Sequence, residues 1–451
     1  MSIAAAQNAH ADTALRILKR LLHGFAGGAD LRLWNDCSYS VGQGPPAFTL
    51  VLRDPLLLRS LVTTRGPVLL AAAYFRGQID VEGDLYSALA LKGHFEGLAL
   101  PWRDKLAMLL DAWRLPTSTN SRSEPAKAGT LITRLAQRFS RQHTRLSDRQ
   151  AIAFHYDVSN AFYALWLDAE MVYSCAYFET PDDSLDHAQQ NKLEHICRKL
   201  RLQHGERLLD IGCGWGALIC WAAKHHRVRA HGITLSQAQH DFAQQRIANE
   251  GLQGLVTVEL RDYRDLQGEA VYDKVASIGM FEHVGLVNMP TYLAAVQRVL
   301  RPGGLFLNHG ITHDEEGWNR TVATEFINRY VFPDGEFDCV SNIQLGMERA
   351  GFEIQDVEAL RRHYALTLRH WVQRLEANRD AALCEVDEPT YRVWRLYMAA
   401  CALEFEAGGT GIYQILASRR GIETSLPLTR QDLYAPAPAL VCASLPHRLV
   451  A

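Results

Sequence analysis

The sequence has no long hydrophobic segment and no excess of charge of either sign. Its longest apolar run, residues 66–74, is well short of the roughly 18 to 20 apolar residues that a membrane-spanning helix needs. Any contact with a membrane should therefore be peripheral. The 47 basic and 50 acidic residues give a formal net charge of −3, which gives no indication of nucleic-acid binding, so no nucleic-acid partner is expected.

The sequence also lacks paired CxxC cysteines and a charged-then-apolar leader at its N-terminus. The nine cysteines are therefore expected to be free thiols in a reducing cytoplasm. No metal site is expected, and no segment of the chain repeats another.

The length and composition are sufficient for two domains with separate cores. The chain has 451 residues, of which 48% are hydrophobic and 22% charged, as in globular proteins. Residues 116–130 are rich in Ser, Thr, Pro, Asn and Ala, a composition typical of linkers. The predicted division is an N-terminal domain for lipid binding or dimerisation at 1–115, a linker region at 116–150, a catalytic domain at 151–425 and a C-terminal tail at 426–451.

The linker region contains a short basic helix pattern at residues 131–146. Arginines at 134, 138, 141 and 145 are three or four residues apart and flank an apolar stripe. Two interpretations remain open. The helix could dock on anionic phospholipid headgroups, or it could be a solvated connection between the domains.

From residue 207 onward, strand patterns alternate with helix patterns. The strand patterns lie at 207–211, 228–233, 255–260, 274–278, 305–308, 352–357 and 411–416. A helix pattern over 290–300 ends at the Pro-Gly-Gly of residues 302–304, before the fifth strand. This alternation predicts an α/β fold with a mostly parallel, Rossmann-like, seven-stranded sheet, preceded by a smaller α+β N-terminal domain.

A glycine-rich loop, Asp210–Gly216 (DIGCGWG), joins the first strand to the next helix. Glycines allow positive φ and close approach of the backbone to a ligand, and the amides at the helix start face polar ligand groups. A dinucleotide fold expects an acidic residue about 20 positions later, but this chain has Gly232–Ser236 (GITLS) there. The loop therefore favours S-adenosylmethionine over NAD, with Asp262 and Tyr263 placed for the adenine. The remaining alternative is a tight turn without a ligand.

Two polar residues follow successive strand patterns. Glu282 follows the fourth pattern and His309 the fifth, and ligands of open α/β sheets bind beyond the carboxyl ends of the strands. We therefore expect these side chains to share a site. Cys175 lies between aromatic residues and Tyr364 near a helix start, and each by itself indicates only packing.

Seven motifs, in order, resemble those of the cyclopropane-fatty-acyl-phospholipid synthase family, which includes the mycolic acid cyclopropane synthases. They read HYDVSN at 155–160, YSCAYF at 173–178, DIGCGWG at 210–216, GITLS at 232–236, FEHVG at 281–285, YVFP at 330–333 and YQ at 413–414. The resemblance covers about residues 150–420 and is specific as an ordered set. Residues 337–339 (FDC) depart from the family's frequent Leu-Pro-Ser, which leaves substrate preference open.

The resemblance implies a class I S-adenosylmethionine-dependent methyltransferase that acts on cis-unsaturated acyl chains of membrane phospholipids. A methylene group is transferred across the double bond through a carbocation, with bicarbonate as proton acceptor. The implied bicarbonate ligands are Cys175, Glu282, His309, the backbone of Ile311, and Tyr364. The implied cofactor contacts are Tyr173, Ser174, Asp210, Gly212, Gly214, Gly216, Thr234, Leu235, Gln239, Asp262 and Tyr263. A cytoplasmic homodimer, peripherally associated with the inner membrane surface, is also implied.

Three other functions remain open. A near relative would methylate the same alkene but leave a methylene or methyl branch, and more distant alternatives are a small-molecule methyltransferase or a non-catalytic lipid-binding protein. A carboxylate beside bicarbonate would repel it, so we expect Glu282 to be protonated or paired with a donor such as His309. Residues 393–401, with Leu368, Trp371 and Leu375, are candidate walls of an acyl channel.

Overall fold

The computed structural model describes residues 3–64, 67–116, 158–317 and 335–434. The predicted basic helix at 131–146, the motif at 330–333 and most of the predicted linker and tail lie outside the described residues. Within them, no helix combines the length and apolar character needed to cross a membrane. The eight cysteines of the described ranges are unpaired.

Residues 3–116, as far as they are described, form a four-stranded sheet packed with six helices. The sheet order is β2-β1-β3-β4, and β1 and β3 are its parallel pair. The strands are β1 (Gly28–Arg32), β2 (Ser38–Gly42), β3 (Pro46–Leu52) and β4 (Ile79–Gly83). The helices are α1 (Ile3–Leu21), α2 (Pro55–Thr64), α3 (Pro67–Phe75), α4 (Leu85–Leu89), α5 (Leu91–Gly97) and α6 (Trp102–Arg114). The predicted α+β character of this part is confirmed.

The second part contains the predicted seven-stranded sheet, with strand order β10-β11-β9-β8-β5-β6-β7. Neighbours from β9 to β7 are parallel, whereas β11 is antiparallel to β9 and β10. The strands are β5 (Arg207–Ile211), β6 (Arg229–Thr234), β7 (Val256–Leu260), β8 (Tyr272–Ile278), β9 (Leu300–His313), β10 (Phe352–Ala359) and β11 (Thr410–Arg419). The predicted mostly parallel sheet is thus confirmed, with each strand close to its predicted position.

Helices cover both faces of this sheet. They are α7 (Asn160–Ala164), α8 (Leu185–Lys199), α9 (Ala217–His226), α10 (Gln237–Asn249), α11 (Met289–Val299), α12 (Val340–Arg349), α13 (Arg361–Ala377), α14 (Arg379–Glu385), α15 (Glu388–Ala407) and α16 (Gln431–Tyr434). Ser184, Ser236 and Asp387 cap the first turns of α8, α10 and α15 with side-chain oxygens. Such caps satisfy amide groups that have no partner inside the helix.

Alternation along the strands divides the core between the two faces. In β5, Leu208 packs in the cluster containing α8, α9 and α10, whereas Leu209 packs in the cluster containing α11 and α12. In β9, Leu307 and Phe306 divide in the same way. Each large side chain buried here contributes about 1.5–3 kcal/mol of apolar transfer free energy. A third, aromatic-rich cluster joins α7, α13 and α15.

Strand β9 differs from its prediction because it begins earlier and ends later. Residues 302–304 were expected to separate the helix from the strand, but they lie inside β9. The pairing of β8 with β9 shifts register between Tyr272 and Lys274, and Gly303 has φ +76°, which its lack of a Cβ permits. Because β9 continues to His313, His309 lies within a strand rather than after one.

Helix α15 joins the two parts of the protein through Arg392, which is buried. One guanidinium nitrogen of Arg392 lies 2.9 Å from the carboxylate of Asp80 in β4, and another donates to the carbonyl oxygens of Tyr74 and Ile79. One turn later, Arg395 donates to the hydroxyl of Tyr74 at 2.9 Å. The same interface carries an exposed ion pair between Lys92 and Glu404.

Replacing Arg392 by leucine should therefore destabilise the protein by about 2–4 kcal/mol, because two carbonyl groups lose this donor and Asp80 keeps only the exposed Arg53 as a partner. Urea unfolding measures the effect as a lower midpoint. The matched control is Lys92→Ala, which breaks the exposed pair of the same interface and should cost less than about 1 kcal/mol. Equal midpoints for the two variants would contradict the importance of Arg392.

Candidate functional site

A large cavity opens at the carboxyl ends of β5, β6 and β8, around the glycine-rich loop. Gly212 and Gly214 line it, with φ of +82° and +54°. A Cβ at Gly212 would lie 2.8 Å from Cγ of Met280, whereas one at Gly214 would meet nothing within 4 Å. The first glycine is therefore required by packing as well as by φ, and the second leaves the loop open toward the cavity.

Nine of the residues predicted to contact the cofactor line this cavity. They are Tyr173, Ser174, Asp210, Gly212, Gly214, Thr234, Leu235, Gln239 and Tyr263. At the end of β6, Thr234 donates a hydrogen bond of 2.8 Å to the side-chain oxygen of Gln239. This neutral pair occupies the position where a dinucleotide-binding fold carries an acidic residue.

Two predicted contacts, Gly216 and Asp262, are not among the residues that line this cavity. Gly216 precedes α9 and packs against α10, where a Cβ would lie 3.1 Å from Cβ of Ala243. The carboxylate of Asp262 accepts hydrogen bonds from the backbone and guanidinium of Arg264.

Lys192 of α8 lines the same cavity, and the sequence analysis did not identify it. Its ammonium group donates a 2.9 Å hydrogen bond to the hydroxyl of Ser174. Burial lowers the pKa of Lys192 to about 8, partly offset by Asp168 and Asp210. Burial also raises the pKa of Asp210 to about 7. The available signal was spacing, because Lys192 follows the buried Gln189 by three residues on the inner face of α8.

A second cavity adjoins the first, and its wall contains all five residues predicted to hold bicarbonate: Cys175, Glu282, His309, Ile311 and Tyr364. They come from the loop before α8, the turn after β8, strand β9 and the first turn of α13. The two cavities share four lining residues: Tyr173, Ser174, Gly279 and His283. We call the first the cofactor cavity and the second the acceptor cavity.

Glu282 is buried in the wall of the acceptor cavity. Its Oε1 accepts a 2.8 Å hydrogen bond from the amide of Ile311, and its Oε2 has no partner among the described residues. Burial raises the pKa of Glu282 to about 7, although the Ile311 amide lowers it. The group that donates a hydrogen bond to Glu282 is thus the backbone amide of Ile311 and not His309, and the Ile311 amide is used in that bond.

His309 presents one ring nitrogen without a partner among the described residues. Its Nδ1 lies 3.3 Å from the side-chain nitrogen of Gln414, which can only donate when so oriented, so Nδ1 is the acceptor and Nε2 carries the hydrogen. Nε2 is buried and makes no hydrogen bond within the described ranges. Burial, reinforced by Lys192 and Lys199, lowers the pKa of His309 well below its usual value, so the ring is neutral.

Helix α13 holds the loop that carries Cys175. The amide of Ala176 donates to the hydroxyl of Thr367 at 3.0 Å, and the amide of Phe178 donates to Nδ1 of His363 at 3.1 Å. The thiol of Cys175 donates to the carbonyl of Ala176 at 3.3 Å. Burial raises the pKa of this thiol, so it is a weak donor and not a thiolate nucleophile.

Aromatic side chains surround the acceptor cavity. Tyr364 packs against Trp371 and Phe405, with ring centroids 5.9 Å and 4.7 Å away. Tyr397 and Phe337 also line the cavity. Among the predicted channel walls, Tyr397 is the one that reaches the acceptor cavity, whereas Leu368, Trp371 and Leu375 are core residues.

The backbone of β9 approaches the acceptor cavity closely at one glycine. Gly310 lies between His309 and Ile311, and a Cβ there would be 2.1 Å from the ring of Phe281. Phe281 precedes Glu282 in the same turn. A side chain at position 310 would therefore displace the turn that carries Glu282.

Comparison with known proteins gives consistent findings. Residues 143–415 match the family model described as mycolic acid cyclopropane synthetase. A probable fatty acid methyltransferase of Pseudomonas putida is 42% identical over 408 residues, which cover 90% of this chain and 95% of that protein. The Escherichia coli cyclopropane-fatty-acyl-phospholipid synthase is 40% identical over 276 residues, covering 61% and 69%. A solved structure of the mycolic acid cyclopropane synthase CmaA1 complexed with SAH and CTAB aligns with a TM-score of 0.57 and 32% identity, covering 60% of this chain and 98% of that one.

Replacing Lys192 by methionine should weaken binding of S-adenosylhomocysteine about tenfold, since the cofactor cavity loses a cation and Ser174 loses its donor. Isothermal titration calorimetry measures the affinity. Lys274→Met is the matched control, because Lys274 is equally buried but pairs with Glu206 away from the cavity. Similar losses in both variants would show that the effect comes from general destabilisation.

Replacing Glu282 by glutamine should change how stability depends on pH. The folded pKa of about 7 exceeds the usual 4.5, so between these values the folded wild type binds more protons than the unfolded chain and loses stability as pH rises. Relative to wild type, the variant should gain up to about 3 kcal/mol between pH 4.5 and 7.5. Urea unfolding across this range tests it, with Glu269→Gln as a control for the same substitution at an exposed position. A constant difference between wild type and E282Q would refute the raised pKa.

Proposed function

Because the chain belongs to the mycolic acid cyclopropane synthetase family, we propose that it transfers a methylene group from S-adenosylmethionine to the cis double bond of an unsaturated acyl chain in a membrane phospholipid, forming a cyclopropane ring. The protein is an S-adenosylmethionine-dependent methyltransferase, as its family and its seven-stranded fold establish. The acceptor and the product of the reaction are what we propose.

The observation that carries the proposal is the shared wall of the two cavities. Tyr173, Ser174, Gly279 and His283 line both of them. A methyl donor bound in the cofactor cavity would present its sulfonium end toward this wall, and an acyl chain in the acceptor cavity would reach it from the other side. Proximity of this kind supplies a large part of the barrier reduction in group transfer.

The proposed reaction requires an apolar site that excludes water. The alkene electrons form a bond to the sulfonium methyl carbon while the sulfur–carbon bond breaks and its electron pair stays on sulfur. A carbocation results, one proton leaves the transferred methyl group, and the ring closes, giving S-adenosylhomocysteine. Tyr364, Tyr397 and Phe337 line the acceptor cavity with electron-rich rings, which stabilise positive charge and keep out water that would trap the cation.

Bicarbonate fits the donor set of the acceptor cavity. Neutral His309 carries a hydrogen on Nε2, which has no partner in the described part of the chain, and Glu282 in its protonated form carries a donor at Oε2. These two groups would hold the ion in a wall that also contains Cys175 and Tyr364, while the Ile311 amide keeps Glu282 in place. A bicarbonate ion bound there would supply a base for the methyl proton. With Glu282 protonated, the residues contribute an uncharged wall with hydrogen-bond donors, which accepts an anion without repelling it.

The proposed substrate also requires a site at a bilayer. Removing acyl chain from lipid costs about 0.8 kcal/mol per CH₂, so an apolar cavity must replace the environment that the chain leaves. We expect a cytoplasmic enzyme that associates peripherally with the inner membrane surface, and we expect a homodimer.

A second candidate function is formation of a methyl or methylene branch. The Pseudomonas putida relative, a probable fatty acid methyltransferase, matches 90% of this chain. In addition, Phe337, where this chain departs from the family's frequent leucine, is buried in the wall of the acceptor cavity. A different wall can direct proton loss to a different carbon after the same first step.

Mass spectrometry with S-adenosylmethionine carrying a CD₃ group should separate the products formed on vesicles of cis-unsaturated phospholipid. A cyclopropane retains two of the three deuterium atoms and loses the double bond, because the lost proton comes from the methyl group. A methyl branch formed by proton loss from the acyl chain retains all three and stays unsaturated. A methylene branch retains two and stays unsaturated.

The Glu282→Gln variant provides the matching test of the site. We expect kcat to fall at least about 100-fold while affinity for S-adenosylhomocysteine stays within about twofold, since Glu282 lines the acceptor cavity only. If the wild type leaves the lipid unchanged but methylates a small amine or alcohol, the lipid proposal is wrong.

A further inference from the structure

Helix α6 carries an exposed apolar stripe that the reaction does not use. Trp102 and Trp113 are 70% and 69% exposed, and Leu106 and Leu110 are each 50% exposed. With Leu109, which is also exposed, these residues recur every three or four positions and form one line along the helix. The stripe runs from Trp102 to Trp113, about 17 Å along the helix, with a tryptophan at each end.

The opposite face of α6 fixes the helix to the N-terminal part of the protein. Met108, Asp111 and Ala112 are buried there. Arg16 and Arg20 of α1 bind the carboxylate of Asp111 at 3.0 Å and 2.8 Å. The guanidinium of Arg59 in α2 donates to the carbonyl oxygens of Trp113 and Leu115 at the end of α6. The stripe is therefore held on the outer surface of a rigid support.

Basic side chains border the stripe on both sides. At about 100° per residue, Arg103 and Arg114 lie along one edge of it and Lys105 lies along the other, and Arg114 also pairs with Asp111 at 3.3 Å. The two acidic residues of the helix point toward α1, where Arg20 lies 3.8 Å from Asp104 and 2.8 Å from Asp111. The outer face of α6 is thus apolar in its centre and cationic at both edges.

We propose that α6 lies in the headgroup region of an anionic phospholipid bilayer, with its apolar stripe among the first acyl carbons. Tryptophans favour this interface, leucines gain from leaving water, and the arginines and lysine meet lipid phosphates. A second copy of the chain is a poorer occupant, because two such faces would bring Arg103, Lys105 and Arg114 against their own equivalents. This inference rests on the proposed function, since it identifies the surface that brings the enzyme to a bilayer substrate.

Vesicle co-sedimentation tests the surface directly. The double variant Leu106→Gln with Leu110→Gln should bind vesicles of phosphatidylcholine and phosphatidylglycerol at least about tenfold more weakly than wild type. Leu345→Gln on α12 is the matched control, because Leu345 is 41% exposed on the other part of the protein, and its binding should not change. Wild-type binding by the double variant would overturn the proposal.

A second variant tests the charges without altering the stripe. Arg103→Gln with Lys105→Gln should bind the anionic vesicles less well and approach the binding seen with phosphatidylcholine alone, and added salt should weaken the wild type in the same direction. Light scattering of the Leu106→Gln, Leu110→Gln variant measures its mass and so tests whether a second copy of the chain covers the stripe. A fall in its mass with vesicle binding intact would assign the stripe to contact between copies and overturn the proposal.

Activity in nonionic detergent micelles separates this proposal from the proposed function. The leucine variant should keep wild-type turnover on phospholipid dispersed in micelles and lose turnover on vesicles. If the wild type binds anionic vesicles through α6 but never modifies their lipid, the proposed reaction is wrong, and α6 remains the membrane-binding surface. If the wild type modifies lipid and the leucine variant is equally active on vesicles, α6 is not the membrane-binding surface, and the proposed reaction is kept.

Discussion

Two hydrogen bonds between a loop and helix α13 hold the site together. The amides of Ala176 and Phe178 donate to Thr367 and His363, and the same loop supplies Tyr173 and Ser174 to both cavities and Cys175 to one. Because Tyr364 lies next to His363 on α13, these bonds also set the separation between the loop and the aromatic wall. The relative position of donor and acceptor therefore depends on one loop-to-helix junction, with His363 as an acceptor only when its Nδ1 is unprotonated.

Burial determines the electrostatic character of the site more than any ion pair does. It raises the pKa of Asp210 and Glu282 to about 7, lowers that of Lys192 to about 8 and keeps His309 neutral. A site whose imidazole is neutral and whose carboxyl groups are only partly ionised at neutral pH can hold a small anion and tolerate a transient cation near it. The cost is several buried polar atoms that lack a partner within the described residues.

The sequence alone predicted those features that depend only on neighbouring residues in the chain. The glycine-rich loop and the strand patterns follow from backbone requirements and alternation, and they led to nine of the cofactor-cavity residues. Lys192 was not identified, because a lysine in an amphipathic helix usually faces solvent and only the fold turns this face inward. The absence of Asp262 from the lining goes with its hydrogen bonds to Arg264, and the pairing of Glu282 with the Ile311 amide depends on β9 continuing past His309. Neither feature follows from residue spacing.

Helix α15 connects the N-terminal part of the protein to the acceptor cavity. Arg392 anchors it to Asp80 of the N-terminal part, and Tyr397, five residues later, forms part of the acceptor wall. The helix is continuous over its 20 residues, so the segment between them behaves as a short rod. A shift of the N-terminal part at Asp80 would therefore move Tyr397 in the wall of the acceptor cavity, because no loop separates the two positions.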